Sequence, residues 1–583
     1  MEKRVLLAIV LSFVVLYGYQ AMFPPPEPVK PAPAAQTPAT PQGVTAGSPE
    51  GAAAPGAAAP SDAAALEQVP SAAPVVSDAA ERDVTFENGS VRAIFSTRGG
   101  TIKSWRLKKY MNAANQPLEL VPQDAPAGLP KPFTLSVAAD ATVSKTLAQA
   151  LYRPSASSID ASSAPQTLTF EYQDASGLAV KKEFSFHPDS PYVVHFSASV
   201  TRNAESLVPT IHWGPAIGTN LEVNTSGYNA PPQPIYYIDG DVERIAATDV
   251  PEIADQKGTY GFAGVDDHYF MSAVVNPTSP LQLQYQVVPV PPKNPAETPP
   301  APYITWSATY AGAPSGAAFF FGPKDFDVLA AIDRDLVRAI HFGMFSWLVV
   351  PLLRALKWIN VYIGNYGWSI IALTALINVL MFPLRHKSVV SMRRMQEVQP
   401  EVKAIQDRYA KLKMTDPARQ NQNKEMMQLY KERGVNPASG CVPMLLTLPV
   451  LFAFYAMLSV AIELRGAPFI GWIKDLSVYD PLFITPVLMG ITQFIQTKMT
   501  PSTADPMQQK VMLLMPLMFM FMFIWAPSGL VIYWTVSNLW AIGQQALTNK
   551  MIGPAKVHVV RPPAERRVKN AGAGKSIAAK ERK

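Results

Sequence analysis

The chain is poor in charge and nearly free of cysteine. Asp, Glu, Lys and Arg make up 16% of its 583 residues, while 48% are apolar; soluble domains usually carry about a quarter charged residues. One cysteine, Cys441, excludes an intramolecular disulfide and with it a disulfide-stapled outer domain. The seven histidines are scattered, and no HExxH, CxxC, P-loop or GxGxxG-plus-acid arrangement occurs. Asp266-Asp267-His268 precedes a strand-like run, Tyr269 to Val275, and lacks further ligands at metal-site spacing. No catalytic, cofactor or metal site is expected. Nor does any acid lie deep in a long apolar run, which disfavours ion-coupled transport.

The apolar residues fall in one run at the start and in most of the chain after Trp358, which predicts a multi-span membrane protein with a large polar insert. Lys3 and Arg4 precede the run Val5 to Phe23. It exceeds the roughly 7–15 residues of a signal-peptide core and lacks a small-residue cleavage site, so residues 1–23 read as a retained anchor with a cytoplasmic N-terminus. Residues 24–80, rich in Pro and Ala without apolar periodicity, read as an extended tether.

From residue 81 to 322 the period is two. Leu168, Phe170 and Tyr172 alternate with polar residues, as do Tyr192 to Val200 and Leu281 to Val287. Asn88-Gly89 between Phe86 and Val91 signals a hairpin. Many such strands predict an all-β sandwich outside the membrane. Residues 325–361 then read as one amphipathic interfacial helix, with Trp347, Trp358, Tyr362, Tyr366 and Trp368 as an aromatic belt.

Residues 362–384 form the second span. Arg385, His386, Lys387, Arg393 and Arg394 follow it and mark its cytoplasmic end. Residues 385–440 predict a cytoplasmic helical hairpin with twelve Lys or Arg against six Asp or Glu. Its methionines Met392, Met395, Met426 and Met427 offer a surface that adapts to many partners, or the segment only sets topology. Four further runs cross in alternation within 441–548, giving six spans. The basic tail, 549–583, belongs in the cytoplasm, where it either fixes topology or meets ribosomal RNA or anionic lipid.

Polar groups in these spans are one-sided. Asn378 and Thr447 lie about 10 Å from the cytoplasmic ends of their helices and Gln493 about 7 Å; Gln496, Gln544 and Gln545 are closer still. Asn538 and Thr374 are nearer the middle, and the short fifth span has no polar side chain. This predicts a cavity open to the cytoplasm and closed toward the outside, whereas a pore needs polar lining throughout. Asn378 alone is equally a residue that bonds a neighbouring helix.

Several stretches are similar to the YidC family of membrane protein insertases, in its Gram-negative form. They are STRGGTIKSWRLKKY, LKWINVYIGNYGWSI, NPASGCVP, IELRGAPF, DPMQQK and PSGLVIYWTVSN. The resemblance implies five core helices around a hydrophilic groove, a mobile hairpin and a periplasmic β-sandwich in the bacterial inner membrane. It also implies that nascent membrane proteins are the partners, inserted alone or with the Sec translocon; no DNA partner is implied. Thr374, Tyr533 and Trp534 match the groove pattern. Asn378 stands where most members carry a positive charge, usually Arg, and Thr447 where Gln is frequent. The readings from other classes are a multi-span transporter or channel with a periplasmic β domain, and an anchored outer-domain enzyme.

Overall fold

The computed structural model describes residues 73–552, apart from 113, 124, 127, 216, 218–229, 254, 289–302, 410–417, 436–441 and 501–505. The expected anchor, most of the tether and most of the basic tail lie outside the described residues. The chain divides into a β unit and a helical unit.

Period-two sequence builds the β unit. Its largest sheet has eleven strands, with Gln166–Asp174, Leu178–Phe186 and Val193–Arg202 pairing antiparallel in succession. Leu168, Phe170 and Tyr172 are all buried, so their alternation places one strand face in the core. Two five-stranded sheets cover that face. Phe184 is the meeting point: its ring lies 5.1 Å from Phe95 of one small sheet and 5.1 Å from Phe133 beside the other. The expected hairpin forms between Asp83–Glu87 and Val91–Ser96. The side-chain oxygen of Asn88 accepts from the backbone N–H of Ser90 and Val91, which closes the turn.

Lys182 occupies an inward position in this sheet and is fully buried. Its Nζ donates to the carbonyls of Gly99 at 2.6 Å, Phe133 at 2.7 Å and Gly100 at 3.3 Å, and lies 5.3 Å from the centroid of Tyr152. Asp266 is buried beside Arg244, and Asp267 closes a turn by accepting from Tyr269 and Phe270 N–H. Among the described residues no group of three metal-ligating side chains forms.

Two expectations are corrected here. The tether ends earlier than residue 80, because Pro74–Val76, with two β-branched valines, pairs with Gln173 and Asp174 as an edge strand. The unit is also not wholly β: helix α1, Ala141–Gln149, starts where Asp140 accepts from Val143 N–H.

The helical unit begins with α2, Phe326–Ile332, capped by Asp325. The single helix expected over 325–361 is broken. Asp333 ends α2 in extended conformation and caps the next turn through Asp335 and Leu336 N–H. Gly343 adopts a φ of 68°, and only then does α3, Ser346–Ile363, start. Lys357 of α3 reaches Asp327 at 2.6 Å, Glu463 at 3.1 Å and Asp325 at 3.5 Å, clamping the break to the end of a later helix.

Gly364 at φ 72° turns the chain into α4, Tyr366–Tyr409. Its 44 residues carry the expected second span and the first arm of the hairpin as one helix. The second arm is α5, Ala418–Glu432, followed by α6, Val442–Val460, α7, Ile484–Met499, α8, Pro506–Met522, and α9, Ser528–Ile552. Helix α9 packs against α4 and α7, α7 against α8, and α3 against α4 and α6. Among the described residues only α4 is both long and apolar enough to cross a membrane by length and composition.

Candidate functional site

Between α4, α6, α7 and α9 lies a cavity of about 570 Å³. Thr374 and Asn378 sit one helical turn apart on the buried face of α4. Thr374 Oγ1 donates to the Ile370 carbonyl at 2.6 Å, and Asn378 Nδ2 donates to the Thr374 carbonyl at 2.8 Å. Asn378 is 4% exposed. Its recorded partners belong to its own helix rather than to a neighbour.

The other partner of Asn378 is Arg385, first of the basic residues that follow the apolar run. Arg385 Nη1 donates to Asn378 Oδ1 at 2.6 Å, and Arg385 lines the cavity. Seven residues are two turns of helix, so 378 and 385 share a face. Among the described residues no carboxylate forms an ion pair with Arg385. The cavity therefore holds a positive charge although position 378 is neutral. The signal available in the sequence was the i, i+7 spacing, which reads as the depth of Asn378 below the cytoplasmic end because Arg385 also belongs to a basic cluster.

Helices α6, α7 and α9 complete the wall. Tyr533 stacks on Phe454 at 4.4 Å, joining α9 to α6. Trp534 Nε1 donates to Gln493 Oε1 at 3.1 Å, and the Trp534 ring lies 5.0 Å from Phe523. Asn538 is buried and donates to Thr492 Oγ1 at 3.3 Å and to the Met489 carbonyl at 3.4 Å, so it also locks α9 to α7. Gln496, Gln544 and Gln545 line the same cavity. Thr447 is in α6, but its side chain lies outside the described residues. Thr374, Asn378, Gln493, Tyr533, Trp534 and Asn538 are thus brought together.

The four methionines are not one surface. Met392 lines the cavity, while Met395 and Met426 pack into the hairpin's own core of Val398, Val402, Ile405, Leu429 and Val435. Met427 is 60% exposed. Helical geometry explains the split: Met395 is one turn from Val398 and two turns from Val402, so it faces the second arm, and Met392 is one turn closer to the cavity. An ion pair of the buried Glu401 with the partly exposed Arg433 and an exposed one of Arg408 with Glu425 at 2.8 Å join the two arms. Where the hairpin leaves the bundle, His386 meets Thr548 at 3.2 Å and Arg393 donates to Asn549 at 3.0 Å.

Residues 358–555 match the family model of the 60Kd inner membrane protein, and residues 83–355 match that of the YidC periplasmic domain. A membrane protein insertase YidC of Geobacter metallireducens is 35% identical over 95% of this chain and 100% of its own length. That of Syntrophus aciditrophicus is 36% identical over 94% of this chain and 100% of its own length. A crystal structure of an active YidC insertase aligns over 82% of this chain and 94% of its own at 16% identity, with a TM-score of 0.33. The chain belongs to the YidC family of membrane protein insertases, multi-pass proteins of the inner membrane that carry a periplasmic domain.

Proposed function

We propose that the cavity between α4, α7 and α9 receives the polar flank of a nascent membrane segment, with Arg385 as its fixed charge. The observation that carries this reading is the guanidinium of Arg385 held on Asn378 inside a cavity of about 570 Å³. A charged side chain at the bilayer centre costs about 2.5–3.5 kcal/mol on insertion scales. A hydrated cavity reaching about 10 Å into the membrane shortens the apolar path that such a flank must cross. Helix α8 has 17 residues, a length of about 26 Å against a hydrocarbon core of about 30 Å, which favours local thinning. The apolar segment then leaves sideways into lipid, the favourable step. With no nucleotide motif in the sequence, that partitioning supplies the energy.

Arg385 takes over the charge that the family resemblance expects at position 378. A fixed positive charge in a low-dielectric site attracts acidic or neutral flanks over basic ones. Asn378 positions the guanidinium and keeps the site hydrated. Six spans with both termini in the cytoplasm and the β unit in the periplasm put the cavity's basic end in the cytoplasm, consistent with Arg385, Lys387, Arg393 and Arg394. The Sec translocon is a partner for larger substrates, and the basic tail, residues 549–583, meets the ribosome. The hairpin's exposed methionine Met427 is available to substrates, whereas Met395 and Met426 serve its fold.

The test is reconstitution of the purified protein in liposomes with a single-span substrate and no nucleotide. Protease protection of the substrate's flank is the expected result. Solute flux without any substrate, and no protection, would instead support a transporter or channel.

A further inference from the structure

One loop meets the first turns of three helices that line the cavity. Residues 465–483 lie between α6 and α7. At the start of α4, Asn365 Nδ2 donates to the carbonyls of Pro468 at 3.1 Å and Phe469 at 3.0 Å, while its Oδ1 accepts from Trp368 N–H at 3.2 Å. At the start of α7, the buried carboxylate of Asp480 accepts from Thr485 N–H and from Trp472 Nε1, each at 2.8 Å. At the start of α9, Ser528 N–H donates to the Val478 carbonyl at 2.8 Å and Gly529 N–H to the Leu476 carbonyl at 2.9 Å. The Ser528 hydroxyl donates to the Val478 carbonyl as well, at 2.5 Å. The opening N–H groups of a helix have no acceptor inside it. The loop supplies acceptors for both α7 and α9, so it is docked by the backbone and not merely draped over the bundle.

Behind the loop is an apolar layer. Ile370 of α4, Leu464 just after α6, Leu476 of the loop and Leu530 of α9 are all fully buried. They converge on Gly529: a Cβ placed there would lie 3.2 Å from the Leu476 carbonyl oxygen, 3.4 Å from Ile370 Cδ1 and 3.6 Å from Leu464 Cδ1. The cavity begins one helical turn further along, at Thr374 on α4 and at Tyr533 on α9. A water-filled cavity that holds a fixed charge is one short step from an ion pathway. About one turn of helix, roughly 5.4 Å, of apolar side chains can prevent that, because such a constriction stops ions by staying dry.

Building on the six-span reading above, in which α4, α7 and α9 all start at the outer face, we propose that residues 465–483 are a plug that keeps the insertase ion-tight while its cavity is wet. Asn365, Ser528 and Gly529 hold the plug, and Ile370, Leu464, Leu476 and Leu530 form the seal. A loosened plug opens a path on which Arg385 is the fixed charge, so the path favours anions over cations.

The test uses the full-length protein in liposomes loaded with potassium chloride. Chloride efflux is read with valinomycin present and potassium efflux with a protonophore present, and insertion of a single-span substrate is measured on the same vesicles. The parent should insert substrate and leak no faster than protein-free vesicles. Ser528→Ala loses the hydroxyl bond and keeps the backbone ones; its chloride efflux should rise about fivefold, the size of one hydrogen bond. Asn365→Ser keeps an oxygen to cap α4 but loses both amide bonds to the loop, and combined with Ser528→Ala it should raise chloride efflux about tenfold or more. Both variants should pass chloride faster than potassium, and Arg385→Gln in either background should erase that preference, which a merely misfolded protein would not show. Ser528→Ala carries the test even if the double variant fails to fold. Chloride efflux at the parent's level in Ser528→Ala and in a double variant that still inserts substrate would overturn the proposal and leave the insertion reading intact. A leak without anion preference, or one that Arg385→Gln does not alter, would overturn it too, since the ions would then bypass the cavity. Failure of the parent to insert substrate above protein-free liposomes would overturn the reading on which the proposal rests.

Discussion

Lys182 in the β unit and Arg385 in the helical unit are both cations turned inward, and both are met by neutral groups. Lys182 in the β unit has three carbonyl acceptors for its three ammonium hydrogens and the face of Tyr152 nearby. Nothing is left over for a ligand. Arg385 in the helical unit spends one donor on Asn378 and faces a cavity with the rest. The first site is closed and ties the turn at Gly99 and Gly100 to Phe133. The second is open, and openness is what a binding site requires. A buried charge becomes structural or functional according to whether its neighbours exhaust its hydrogen bonds.

The largest expected effect strikes the closed site. Lys182→Met leaves three buried carbonyls without a donor and should cost the β unit about 3 kcal/mol of stability, read by tryptophan fluorescence on thermal unfolding. Insertion at permissive temperature should persist. Burial also pushes the Lys182 ammonium down to about 7, below its value of about 10.4 in the unfolded chain. Between those values the unfolded chain binds more protons, so stability should rise from pH 7 toward pH 10 and be flat below pH 7. Lys182→Met should lose that rise. A parent whose melting temperature does not move between pH 7 and 9 would show that the three carbonyls keep the ammonium charged.

The open site comes next. Arg385→Glu reverses the charge and should slow insertion of acidic-flank substrates about tenfold or more, measured by protease protection at equal protein levels. Asn378→Leu removes both the carbonyl that holds Arg385 and the amide that keeps the cavity wet. It should slow insertion about fivefold, the equivalent of one hydrogen bond of about 1 kcal/mol. Asn378→Gln, Asn378→Ser and Asn378→Arg should complement depletion of the insertase. If Asn378→Leu inserts every substrate like the parent, Asn378 only packs.

The smallest effect should follow deletion of residues 82–300, keeping the segment from Asp325 that Lys357 clamps to Glu463. Cavity-lining residues all belong to the helical unit, so less than a twofold loss is expected. Complete loss in a stable, correctly inserted deletion would contradict the division of labour between the two units.

Much of this was legible in the sequence, for a physical reason. Strand alternation is local, so the run through Leu168, Phe170 and Tyr172 announced a buried face, and Asn88-Gly89 announced its own turn. The polar residues that converge on the cavity were visible as one-sided depth along their helices. Lys182 escaped because its partners are distant in sequence. Lys182 sits between Val180 and Phe184 on the inward parity of its strand; a lysine there was the signal, but its acceptors lie about 50 and 80 residues away in the chain. Arg385 was legible only as charge, since the helix that folds it back onto Asn378 is the same helix that carries the basic cluster. The breaks at Asp333 and Gly343 were hidden because apolar spacings of three to five survive an interrupted helix.

The central claim is that Arg385 supplies the cavity's charge in place of position 378. The direct measurement compares substrates identical except for a flank charge of about −2, 0 or +2, a spacing chosen to resolve electrostatic preference. Initial insertion rates would be followed in liposomes for the parent, Arg385→Gln, and Asn378→Arg combined with Arg385→Gln. The parent should insert the acidic flank fastest and the basic flank slowest. Arg385→Gln should flatten that order, and Asn378→Arg in the same background should restore it. If Arg385→Gln keeps the parent's order, the charge at 385 does not select substrates and the account fails.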